Sequence, residues 1–116
     1  MTSDAASPVI RSARDLGLQL RAAGDIRDLI GAAYGLDALL LHEADLAPAF
    51  LDLRTGLLGE LFQTLVNHRL PTALIVPVPA AHGGRFTELA REHARHPHVR
   101  ILPDEAAARA WLAATR

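Results

Sequence analysis

Apolar positions along the chain recur with two periods. Residues 9–13 and 18–22 alternate apolar and polar, and Arg14-Asp15-Leu16-Gly17 between them has a turn's composition, which together predict a β-hairpin. Ile26, Leu29, Ile30 and Ala33 then fall at i, i+3, i+4 and i+7, one face of a helix that starts near Gly24-Asp25 and is closed by Gly35. Ala38-Leu39-Leu40-Leu41 is apolar and too short for a helix, so it predicts a buried strand. A loop over residues 43–53 contains Pro48, and Thr55 follows as the expected N-cap of a second helix. That helix carries Leu57, Leu58, Leu61, Phe62, Leu65 and Val66 on its apolar side, with Glu60 near its positive end. Residues 72–78 read as a central parallel strand ending near Pro77, which cannot donate to a ladder.

The remainder repeats the alternation. Residues 79–84 are a loop, and Phe86, Leu89, Ala90 and His93 mark a third helix ended by Pro97. Residues 99–102 form a last strand, Asp104 caps, and residues 105–114 form a helix with Ala108, Trp111 and Leu112 inward. The order is ββαβαβαβα. It predicts a single α/β domain over residues 9–116, with a mostly parallel five-stranded sheet, an N-terminal hairpin and four helices. Residues 1–8 read as a polar leader without the features of a signal peptide, so a bacterial-type cytoplasmic protein is the expectation.

Composition narrows the chemistry. With 116 residues, half of them apolar and 22% charged, the chain has the makeup of one folded domain and not of a disordered segment. No apolar run approaches the roughly 20 residues that span a bilayer, so no membrane partner is expected. Twelve basic residues stand against thirteen acidic ones, and only five aromatics are present, which argues against nucleic acid as a partner. There is no cysteine, which excludes disulfides, thiolate catalysis and cysteine zinc sites. Every basic residue is Arg, which excludes Schiff-base chemistry and a Walker lysine.

Candidate chemistry gathers between Asp52 and Arg69. Thr55-Gly56 at a helix start offers a hydroxyl and backbone N–H groups that favour an anion, and a phosphate on Thr55 would add roughly −1.5 to −2 charges; the structural alternative is a plain N-cap. Gly56 and Gly59, three apart in one helix, imply close packing on the sheet or close approach of a ligand or partner. Glu60, Gln63 and Asn67 fall on one stripe that could read a partner or a polar ligand, or form a solvated face, with Arg69 set to neutralise the helix end. His82, His93, His96 and His98 cluster late, but interleaved Arg91, Arg95 and Arg100 and the lack of a carboxylate at ligand spacing predict no specific metal site. No serine elbow or dinucleotide fingerprint occurs, so no catalytic residues are assigned and no cofactor is expected.

The segment from Phe50 to Arg69, with Leu53, Thr55, Gly56, Gly59, Glu60, Gln63, Asn67 and Arg69 at the matching positions, resembles the bacterial domain of unknown function 4180 family. The chain departs from that family's pattern at Val76-Pro77-Val78-Pro79, where the family has glycine-aspartate, and at His68, where it has tyrosine. It also departs late in the third helix, where His93 and Ala94 follow Glu92 in place of the family's glutamate, x, asparagine. Asp52, Thr55, Gly56 and Leu57 are also similar to the helix entry of STAS domains, with one extra residue between acid and hydroxyl. Two functional expectations follow. The first is a STAS-like protein-interaction or regulatory module with Thr55 as its phosphorylation switch, its site formed by Asp52, Arg54, Thr55, Gly56, Gly59, Glu60, Gln63, Asn67 and Arg69, and its partner a protein. The second is a ligand-binding domain or enzyme using a crevice beyond the strand C-termini, where residues 43–54, 79–85 and Pro103-Asp104 would meet. A homodimer is a further alternative.

Overall fold

A computed structural model of the chain describes residues 8–115. The leader expected over residues 1–8 lies, except for Pro8, outside the described residues. Four strands form the sheet: β1 (Ile10–Ser12), β2 (Ala38–His42), β3 (Thr72–Ile75) and β4 (Val99–Leu102). They lie in the order β1-β2-β3-β4, and every neighbouring pair is parallel. The helices are α1 (Ala23–Ala32), a one-turn α2 (Pro48–Leu51), α3 (Leu57–Asn67), α4 (Gly84–Glu92) and α5 (Glu105–Ala114).

The period-2 alternation of a strand decides the layers. Leu39 and Leu41, Leu74 and Val76, and Val99 and Ile101 share one core with Ile26 and Leu29 of α1, Leu58, Leu61 and Leu65 of α3, and Phe86 of α4. Ala38, Leu40, Ala73 and Ile75 point the other way and pack on Ala108 and Leu112 of α5. Small side chains on both sides of that second contact let one helix cover the middle of the sheet. The predicted α/β class, the last strand and the last helix are as expected, and Asp104 caps α5 by accepting from the Ala107 N–H at 2.8 Å.

The sheet has four described strands, not five, because the N-terminal hairpin does not form. After β1 the Asp15 carboxylate accepts from the Ser12 N–H, and the Ser12 hydroxyl accepts from the Asp15 N–H, both at 3.0 Å. This reciprocal pair curls residues 12–15 into a turn. Leu20 is then taken by another part of the chain: its N–H donates to Asp45 O at 2.9 Å and its carbonyl accepts from the Ala47 N–H at 2.8 Å. With both groups satisfied there, the 18–22 segment cannot return to β1, and β1 pairs only with β2. The expected order ββαβαβαβα, which is also that of the STAS domains whose helix entry the chain resembles, therefore differs from the one observed. Two expected loops are also more ordered: residues 43–53 contain α2 and a 3-10 turn, and residues 79–82 form another 3-10 turn.

Candidate functional site

The strands run in chain order without reversal, so the sheet has no topological switch point, yet the expected meeting of residues 43–54 with residues 79–85 does occur, without Pro103-Asp104. A groove forms there, because the connection from β2 to α3 is long. Its residues 46–54 make an arm that overhangs the start of α4. Phe50, fully buried, pins the arm to the core. Thr55 ties it to α3: its hydroxyl donates to Ala49 O at 2.7 Å, lies 2.9 Å from Asp52 O, and accepts from the Leu57 N–H at 3.2 Å.

The groove encloses about 650 Å³. Leu46, Pro48, Leu51 and Leu53 of the arm and Phe86 of α4 give it apolar walls, and Asp52, Arg54, His82 and Arg85 supply the polar groups. Asp52 and Arg54 bind each other through two side-chain contacts of 3.0 Å and a backbone N–H contact of 3.1 Å. The Arg54 guanidinium, with its backbone N–H, holds the Asp52 carboxyl below its ordinary range, and Asp52 in turn raises Arg54. His82 Nε2 lies 2.7 Å from Glu43 Oε1, and its ring rests on Phe86 at 5.0 Å. Arg85 is exposed and forms no salt bridge among the described residues. It stands in the first turn of α4, which has no acidic residue and no side-chain cap. With Asp52 and Arg54 compensating each other, positive charge is left over on an apolar hollow beside a helix's positive end. That arrangement suits an anion carried on an apolar body.

The predicted site residues do not come together in one place. Asp52 and Arg54 line the groove. Thr55 and Gly56 form the elbow into α3, where Gly56 and not Thr55 is the N-cap; its φ of 78° is one that a side chain strains to adopt. Gly59 is exposed, and nothing lies within 4 Å of where a Cβ would stand, so it does not serve close packing on the sheet. Glu60 faces a separate hollow between α1 and α3, with Arg27, Thr64 and His68. Gln63 and Asn67 are exposed and bind each other at 2.9 Å. Arg69 takes a left-handed φ of 54° just past the helix, where its N–H donates to Val66 O and the Leu70 N–H donates to Leu65 O. These two bonds are a Schellman closure with Arg where Gly is usual.

The late histidines separate as well. His82 belongs to the groove. His93, His96 and His98 form a row, with His93 and His96 stacked at 4.7 Å between ring centroids. No group of three or more metal-ligating side chains occurs among the described residues. Within the segments expected to meet, the sequence did not single out the Glu43–His82 pair, nor His42, whose Nε2 is 3.4 Å from Glu105 Oε1 and whose buried Nδ1 has no hydrogen-bond partner among the described residues. The available signal was position. His42-Glu43 ends β2 and His82-Gly83-Gly84-Arg85 leads into α4, and the C-terminal ends of parallel strands are where such folds place their reactive side chains.

A family profile described as "Domain of unknown function (DUF4180)" matches residues 7–112. No curated protein and no solved structure matches the chain.

Proposed function

The chain belongs to the domain of unknown function 4180 family, and from that premise we propose that it is a binding module for a small organic acid, a carboxylate or phosphate on an apolar body. The groove between the 46–54 arm and α4 is its site. The observation that carries the reading is Arg85, an uncompensated cation at the uncapped start of α4, facing a hollow with walls of Leu46, Leu51, Leu53 and Phe86. The apolar walls supply affinity and the cation fixes orientation. A thermal-shift panel of aryl and alkyl carboxylates and phosphate monoesters tests it. A ligand at a hundred times its Kd stabilises a folded protein by about 2.7 kcal/mol, a readily measured rise in Tm. At least one acid raises the Tm of the wild type, and Arg85→Ala abolishes that rise. A panel that leaves the wild-type Tm unmoved refutes the reading.

A second reading is a protein-interaction surface on α3, favoured by Gly59. Glycine on an exposed helix face destabilises it by about 1 kcal/mol relative to Ala, and no contact among the described residues calls for it. A partner backbone lying against Gly59, Gln63 and Asn67 would supply the reason. Thr55 as a STAS-like phosphorylation switch has weaker support, since its hydroxyl is bonded on both sides. A phosphate there would break the bond to Ala49 O and release the arm that walls the groove.

A further inference from the structure

We propose that His96 is an acid-released latch on the start of β4. Its Nδ1 accepts two backbone hydrogen bonds, from the His98 N–H at 3.0 Å and the Val99 N–H at 3.1 Å. A ring nitrogen that accepts cannot carry a proton, so this geometry requires the neutral imidazole with its hydrogen on Nε2. Protonating Nδ1 turns the acceptor into a donor aimed at two donors, and both bonds are lost at once.

The adjoining histidine shows what would make such a contact indifferent to pH. His93 Nδ1 lies 2.8 Å from Val99 O, so it donates, and it donates equally well when the ring is charged. His96 alone in the row is bonded in a way that only one protonation state allows.

The groups around it push the same way. His93 is stacked on it, His98 is edge-on at 6.1 Å, and Arg100 reaches its carbonyl through Nε at 2.9 Å. α3 and α5 meet this cluster through Phe62 against His93 and Trp111 under the Arg100 guanidinium, neither of them charged. No carboxylate forms a salt bridge with any of the three histidines among the described residues. Burial first, then His93, His98 and Arg100, hold the His96 pKa below its ordinary 6.5. The latch therefore contributes stability that is complete above pH 6.5 and is lost as pH falls through the lowered folded value.

What it fastens is the junction of α4 with an edge strand. The His98 carbonyl accepts from the Thr72 N–H of β3, Val99 is fully buried, and the Ile101 N–H bonds His93 O. Opening would loosen the C-terminal end of the helix whose first turn borders the groove. The latch stands on its own contacts whether or not the groove binds an acid.

The test needs no ligand. Amide and imidazole resonances of the full chain are followed by NMR from about pH 8 to about pH 5, the range in which His titrates. The His98 and Val99 amides are expected to lose about tenfold or more of their exchange protection, with the midpoint of the His96 ring. His96→Asn offers a carbonyl oxygen as acceptor that does not titrate, so its two amides stay protected throughout. The proposal is overturned if wild-type protection at His98 and Val99 ignores the His96 titration. It is equally overturned if His96→Asn keeps the transition, which would assign it to His93 or His98. If that variant does not fold, the wild-type titration decides alone.

Discussion

α3 and α4 enter the fold by the same device. Each follows a 3-10 turn and a glycine at positive φ, Gly56 at φ 78° and Gly83 at φ 101°. Their chemistry then diverges. At α3 the Thr55 hydroxyl takes the first free N–H, Asp52 and Arg54 neutralise each other, and Glu60 meets the helix's positive end with its own acid. At α4 no side chain caps the turn, no acid occurs in it, and Arg85 adds to the positive end instead of offsetting it. The more conspicuous motif is consumed in building itself. The plainer one has capacity left for something outside the chain.

The contrast breaks most readily at Thr55 and Arg85. Thr55→Val removes the bond to Ala49 O and the acceptor for the Leu57 N–H, and is expected to destabilise by about 1–2 kcal/mol. Arg85→Ala breaks no salt bridge among the described residues and should leave stability within about 0.5 kcal/mol while abolishing acid binding. Urea denaturation of the two variants beside the wild type measures both. If Arg85→Ala destabilises as much as Thr55→Val, the start of α4 is as self-contained as that of α3, and the difference between them disappears.

Why one entry was visible in the sequence and the other was not follows from how far apart the partners lie. Helix periods, the strands at 38–41, 72–78 and 99–102, and the cap at Asp104 depend on residues within one turn of one another, and they read correctly to within a few positions, whereas the expected cap Thr55 gives way to Gly56. The hairpin failed because the choice lay with a distant segment: Leu20 bonds Asp45 and Ala47 across the fold, and no local pattern records that preference. The groove was legible in outline, since residues 43–54 and 79–85 line it as expected and Pro103-Asp104 does not, but the individual pairs inside it were not. Glu43 and His82 are 39 residues apart and meet only because β2 and β3 are neighbours. Asp52 and Arg54, two residues apart, were expected to face a ligand or a partner, and in the fold each is bonded to the other.

Gly59 sharpens the comparison from the α3 side. A Cβ there meets nothing within 4 Å, and the position is mid-helix and exposed. Gly59→Ala should therefore stabilise the chain by about 1 kcal/mol, which a thermal melt resolves. A lowered Tm would mean that this face is already covered in solution. If the loss deepens with protein concentration, a second copy is the cover, and light scattering on the wild type would show the dimer.

The smallest effect is the pH response of Asp52, and it tests whether the pair at the α3 entry is as closed as its geometry implies. Arg54 holds the Asp52 carboxyl below its ordinary 3.8, through its side chain first and its backbone N–H second. A carboxylate whose folded pKa is lowered stabilises above its unfolded value, and that contribution is lost as pH falls through the folded value. Both groups are solvent-facing, so the contribution is small and is better read at the residue than in a global melt. Carboxyl-carbon NMR should place the Asp52 midpoint below 3.8, and Arg54→Ala should move it back toward that value. The same variant frees a negative charge at the mouth of the groove, so acid binding should weaken although Arg85 and the first turn of α4 are untouched. A midpoint already at the ordinary value in the wild type would mean the pair is open in solution, and Arg54 would then join Arg85 as a free cation facing the groove.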